Sequence, residues 1–330
     1  MGQRASRAAR GGWRRRLKDA RRAVQALLAR VVLLAVTRIP YPLLRGLCRG
    51  AVAPVCRWWL GAVAEQNLLL AYGDAMPAAE RRRLVRAVFL HLAEQIAEAC
   101  AFYRQGPGFL AGRIDDAEAR RFVADFEARW PGGWLGITGH IGNWEFFGWW
   151  LGQHSARGRG LAVAKRMANR RLNDLIEDAR RRFGIETLYR DDAPSRPVHA
   201  LKEGRWIALV PDQDVKSLGG VFVDVFGHPA YTPVGPARLA YAANVPMAVG
   251  CLVRDGARYR IEVEGVLWPD TSQPKAREVQ RLTQEWSRLL EAAIRRHPEQ
   301  WAWYHRRWRT TPERLAARGR APVPEPPDAS

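Results

Sequence analysis

Between residues 132 and 300, short apolar runs alternate with longer amphipathic ones, and few architectures satisfy that alternation. GGWLGITG (132–139), LAVAK (161–165) and RWIALVPDQD (205–214) are short runs that read as buried strands, each running into glycine or polar residues. VPMAVGCLVR (245–254) and RYRIEVEGVLW (258–268) read as paired strands around an Asp-Gly turn. Helical periods occupy 76–104, with Pro77 near the start, then NRRLNDLIEDARRRFG (169–184), closed by Gly184, and 276–300. Strands alternating with helices predict an α/β fold with a central, mainly parallel sheet flanked by helices.

Charge divides the chain unevenly. The formal net charge is +20, and residues 1–60 hold fourteen Arg or Lys against one acid, Asp19. Trp13, Leu17, Val24, Leu27, Leu28 and Val31 recur at helical spacing, with Arg7, Arg10, Arg14, Lys18 and Arg21 on another face. A spanning helix needs about 20 mostly apolar residues, yet the longest charge-free run before residue 57 is seven residues. A helix lying in the interface of an anionic membrane face is therefore expected. Residues 1–64 read as a basic amphipathic membrane-anchoring segment, 65–312 as the folded domain and 313–330 as a disordered tail rich in proline. No motif that reads bases is present, so no nucleic-acid partner is expected.

TGHIGNWEFFG (138–148) carries the chemistry. A strand ending at Gly139 would leave His140 in a loop, with Asn143 capping a following helix and Glu145 in its first turn. His140 and Glu145 would lie about 140° apart on one continuous helix, but a loop bent at Gly139 and Gly142 could bring them together. His140 would then be a general base with Glu145 fixing its tautomer. Lys165 and Arg166, at a strand end, could neutralise a phosphate or an oxyanion, and Asp212 and Gln213 could position substrate. A purely structural histidine is the competing reading. No metal and no cofactor are expected, because Cys48, Cys56, Cys100 and Cys251 show no C-x-x-C spacing and no His/Asp/Glu cluster has ligand spacing.

Three further segments, KRMANRRLNDLI (165–176), PDQDVKSLGGVFVDVFGHPAYTPVGPARLA (211–240) and HPEQWAWYHRRW (297–308), occur with TGHIGNWEFFG in order. Together they resemble the bacterial lipid A late acyltransferases over roughly residues 25–312. The resemblance implies an α/β fold similar to the glycerol-3-phosphate acyltransferases, with residues 65–312 as the acyltransferase domain. It also implies a membrane-bound O-acyltransferase at the cytoplasmic face of the bacterial inner membrane. The donor would be acyl carrier protein or acyl-CoA, and the acceptor a hydroxyl of lipid A or its precursor. His140 would be the base and Glu145 its partner, the family's basic residue would fall on Lys165 or Arg166, and Asp212–Gln213 would match a P-D-Q turn. Another glycolipid, such as a phosphatidylinositol mannoside, is the alternative acceptor. A non-catalytic membrane-surface protein is the alternative class. Arg306 and Arg307 with His305, beside Trp301, Trp303 and Trp308, are expected at a headgroup or membrane interface.

Overall fold

Trp134–Ile137 is buried at every position and forms β2, the strand on which the sheet is built. The computed structural model describes residue 19 and residues 21–317, apart from 28, 29, 33, 165, 168, 183, 190–194 and 216. The basic start of the chain, up to residue 18, and the tail from residue 318 lie outside the described residues.

The described chain opens with helices: α1 (Arg21–Arg38), α2 (Tyr41–Leu47), a π-helical turn (Cys48–Val52), α3 (Ala53–Tyr72) and α4 (Ala78–Gln105). β1 (Ile114–Asp115) and α5 (Ala117–Arg129) lead to β2, followed by α6 (Trp144–His154), β3 (Gly160–Ala164), α7 (Arg170–Arg182) and β4 (Ile185–Tyr189). Next come α8 (Arg196–Lys202), β5 (Trp206–Leu209), the hairpin β6 (Gly220–Val225) and β7 (His228–Pro233), and α9 (Gly235–Ala243). β8 (Met247–Asp255), β9 (Arg258–Leu267), α10 (Lys275–Arg296) and α11 (Pro312–Ala316) complete it.

The sheet runs β1-β9-β8-β2-β5-β3-β4, and β8, β2, β5, β3 and β4 are parallel. β9 runs antiparallel to β8, as the Asp-Gly turn requires, and a separate two-stranded sheet holds β6 and β7. The expected mixed fold with a mostly parallel sheet is present. β4 and the β6–β7 hairpin were not separate expectations: β4 carries Glu186 and Thr187 within a short run, and β6–β7 is interrupted by Gly227 and Pro229.

α4 packs Val85, Val88, Phe89, Ala93 and Ala97 inward, a helical stripe that joins the core under β2 and β8. Among the described residues no single helix is long and apolar enough to cross a membrane. α1 and the Tyr41–Ala75 stretch pass that test only as a pair, bent by 119°. The expected tail begins inside α11, where Thr311 caps the helix and Leu315 is buried.

Candidate active site

β2 and β5 are parallel neighbours, with Ile137 opposite Leu209, so the loops at their C-terminal ends emerge side by side. Thr138 extends the pairing by donating its N–H to the Leu209 carbonyl at 3.0 Å. Beyond it the chain turns sharply. Gly142 has φ +56°, and a Cβ there would overlap the Leu252 carbonyl oxygen, so the position needs glycine twice over. Asn143 then caps α6, its Oδ1 accepting the Phe146 N–H at 3.2 Å.

His140 sits in this turn, and Asp212, just past β5, holds it. The Nδ1 of His140 donates to Asp212 Oδ1 at 2.6 Å, and its backbone N–H donates to Oδ2 at 2.7 Å. Trp301 Nε1 donates to the same Oδ2 at 2.9 Å. Gly139 makes room, since a Cβ there would lie 2.9 Å from Asp212 Oδ2. Burial disfavours the charged His140 ring, but the attraction and hydrogen bond of Asp212 outweigh it and raise its pKa. Burial likewise disfavours the Asp212 carboxylate, but His140 and the hydrogen bonds hold its pKa below the usual carboxylate range.

The other side of the ring faces Gln213. Its Nε2 lies 2.8 Å from His140 Nε2 and 2.7 Å from His305 Nε2. An amide NH2 has two donors and no lone pair to offer, so both imidazole nitrogens accept. His140 therefore carries its proton on Nδ1, toward Asp212, and presents a lone pair on Nε2. This tautomer follows from the hydrogen-bond network. Burial, then the nearby His140, push His305 down to about 4, so it is neutral at pH 7.

Two expectations change here. Glu145 is exposed in the first turn of α6 and acts on His140 only through its charge; the hydrogen bond assigned to it goes to Asp212. The reason is geometric: the left-handed turn at Gly142 and the Asn143 cap start α6 with Glu145 outward, while β5 delivers Asp212 directly beneath the ring. Most of the segment 297–308 packs into the fold, with Arg306 left exposed. Trp301, Trp303 and Arg307 are buried, Ile141 bridges Trp301, and the Ala302 N–H donates to the His140 carbonyl at 3.0 Å.

Of the remaining expected residues, Lys165 lies outside the described residues. Arg166 rests 3.9 Å from the Tyr189 ring centroid. Trp301 and His305 are the partners that sequence reasoning had put at a membrane surface. Their aromatic and basic neighbours suited an interface, and only the fold shows that the segment returns to the sheet.

Beside Gln213 opens a cavity of about 530 Å³. Val163, Ala164, Val198, Leu209, Leu218 and Leu239 give it apolar walls, and Gln213, Arg238 and Lys275 are its polar exceptions. The volume lies in the range of about 300–1,000 Å³ found for small-molecule sites. Among the described residues one group has metal-ligand proximity, Cys251 with Glu262 and Glu264. It fits a metal poorly. Arg260, Arg296 and His297 already take Glu262, Arg296 also takes Glu264, and burial pushes the Cys251 thiol up and keeps it protonated.

The family described as bacterial lipid A biosynthesis acyltransferase matches residues 14–310. The phosphatidylinositol mannoside acyltransferase of Mycobacterium tuberculosis is 30% identical over 173 residues, 51% of this chain and 52% of the relative. This chain thus spans about half the length of that relative. The protein of the same name from Mycolicibacterium smegmatis is 28% identical over 74% of this chain and 78% of its own length. The lipid A biosynthesis lauroyltransferase of Escherichia coli is 26% identical over 87% of this chain and 92% of its own length. With a match that runs through β2, the His140 turn, Asp212 and the returning 297–308 segment, the chain belongs to the bacterial lipid A biosynthesis acyltransferase family.

Proposed function

We propose that this protein transfers a fatty acyl group from a thioester donor to a hydroxyl of a membrane glycolipid, with His140 as general base and Asp212 as the residue that orients it. The observation that carries the reading is the His140 ring itself. Nδ1–H is bound to a buried carboxylate, and the Nε2 lone pair is turned toward Gln213, a wall of the apolar cavity.

In the reaction the acceptor hydroxyl takes the place of the Gln213 amide at His140 Nε2. Nε2 removes the hydroxyl proton as the oxygen attacks the thioester carbonyl carbon. The C–S bond then breaks, and the thiolate leaves with the proton that His140 gives back. The Asp212 carboxylate stabilises the imidazolium formed between the two steps. The donor's acyl chain lies in the apolar cavity. Arg166, two residues past Ala164 of the cavity wall, and Lys165 are the candidates to meet the oxyanion or a donor phosphate. Glu145, exposed at the start of α6, acts on His140 by charge.

The donor is acyl carrier protein or acyl-CoA, and the acceptor a lipid A precursor or a phosphatidylinositol mannoside. Relatives of this chain carry names of both acceptor kinds. The exposed Trp58 and Trp59 of α3, with Leu43 and Leu47 of α2, support a membrane-surface setting, which we assign to the cytoplasmic face of the inner membrane. The test is transfer of a labelled acyl chain from each donor to each acceptor, read by mass spectrometry, with wild type and His140→Ala. Gain of one acyl mass by the wild type alone supports the reading. Equal activity of His140→Ala overturns it.

A further inference from the structure

A second cavity, of about 460 Å³, is lined by Tyr41, Arg45, Arg113, Arg254, Gly256 and Ala257. α4 adjoins both this cavity and the catalytic turn. His91 and Gln95 reach the Gly142 carbonyl, while Glu94 and Glu98 meet the arginines.

The charges here do not balance. Glu94 receives Arg45 at 2.8 Å, Arg49, and Arg254 at 3.4 Å, and Glu98 also receives Arg254. Two carboxylates therefore serve three guanidinium groups. Arg113 adds a fourth: it packs 4.2 Å from the Phe109 ring centroid and 5.4 Å from that of Tyr41, and among the described residues it has no carboxylate partner. The nearby Asp255 pairs with Arg260 at 3.5 Å and does not offset the excess. Arg254 is mostly buried, held by Glu98 and by Tyr259 Oη at 2.9 Å, so its position is fixed before any ligand arrives. Planar guanidinium groups converging on one space suit a phosphate, whose oxygens accept paired N–H donors.

We propose that this cavity binds the phosphate of an anionic lipid headgroup. The lipid source is favoured by what adjoins the cavity. α2, which carries Arg45, exposes Leu43 and Leu47 on its outer face, and α3 adds the exposed Val55, Trp58 and Trp59, a setting suited to a lipid surface. A phosphate seated at Arg45 and Arg113 would leave its acyl chains to follow α2 out of the cavity toward that apolar surface. That this lipid is the acyl acceptor rests on the reading given above; that the cavity takes phosphate does not. The site also touches the catalytic turn, since Glu98 accepts from Asn143 Nδ2 at 3.4 Å while holding Arg254.

The test is calorimetric titration of the full chain in a maltoside detergent, which carries no phosphate. The probes are dihexanoylphosphatidic acid, dihexanoylglycerol and inorganic phosphate. The phosphatidic acid should bind the wild type, and the Arg45→Gln/Arg113→Gln double variant should bind it about tenfold or more weakly. Arg113→Lys, which keeps the charge, should retain part of the affinity and guards against a folding defect. Equal binding by wild type and the double variant overturns the proposal, as does equal binding of dihexanoylglycerol. Inorganic phosphate binding as tightly as the lipid overturns the lipid source. His140→Ala should bind the phosphatidic acid like the wild type, so loss of acyl transfer and loss of this site are read separately.

Discussion

Asp212 grips His140 twice, with Oδ1 on the ring Nδ1 at 2.6 Å and Oδ2 on the backbone N–H at 2.7 Å. One contact sets the tautomer and the other sets the height of the loop, so ring orientation and loop position are coupled through a single carboxylate. Trp301 holds that carboxylate from behind at 2.9 Å. The Nε2 lone pair is thereby aimed before substrate arrives, which is the pre-organisation a general base needs.

Asp212→Asn tests that coupling. The amide can still meet the backbone N–H, but it no longer favours a charged ring. Acyl-transfer kcat is expected to fall about 10²–10⁴-fold. The pH profile gives a second readout. His140 must be neutral to act, and Asp212 holds its pKa above the ordinary value. Wild-type activity should thus decline on the acid side at a pH above about 6.5, and the variant's acid limb should move to lower pH. A limb that stays in place would mean that another group titrates there.

Glu145→Gln should behave differently. Glu145 raises the His140 pKa by charge alone, behind both the charge and the hydrogen bond of Asp212. Its loss is expected to lower activity while displacing the acid limb less than Asp212→Asn does. A displacement equal to that of Asp212→Asn would show that Glu145 reaches the ring in the working enzyme.

Gly142→Ala should damage stability and catalysis together. A left-handed non-glycine residue costs roughly 1–2 kcal/mol, and here the new Cβ also meets the Leu252 carbonyl. Gly158→Ala is the control, because Gly158 has φ +71° and open space around it. Thermal unfolding should show a larger loss of Tm for Gly142→Ala, and equal losses would discard the overlap argument.

Much of this site could be read from local patterning. The strand at 134–137, the loop histidine and the Asn143 cap all follow from a glycine-bounded apolar run, because strand, turn and cap are decided by neighbours in sequence. The identity of the acid on His140 was not local. Glu145 is five residues away and Asp212 seventy-two, yet β5 lies in register beside β2 and only that pairing brings Asp212 under the ring. The Trp301–His305 segment misled for a related reason. Tryptophan and arginine together suit an interface, and nothing short of the Ile141–Trp301 bridge reveals that this segment packs against the catalytic loop.

The cavity beside Gln213 makes chain length testable. Leu239 of α9 lines it, so Leu239→Trp should fill part of the space without touching His140. Each buried methylene contributes about 0.8 kcal/mol. Losing room for two methylenes therefore costs about 1.6 kcal/mol, or about fifteenfold in kcat/KM for the longest accepted chain. Shorter chains that never reach Leu239 should keep their rate. The measurement is a competition among acyl donors of graded length, scored by product mass. A shift of preference toward shorter chains assigns the acyl group to this cavity. A uniform loss across all lengths would say that the substitution disturbed the site as a whole, and the acyl chain would have to be sought along another wall of the sheet.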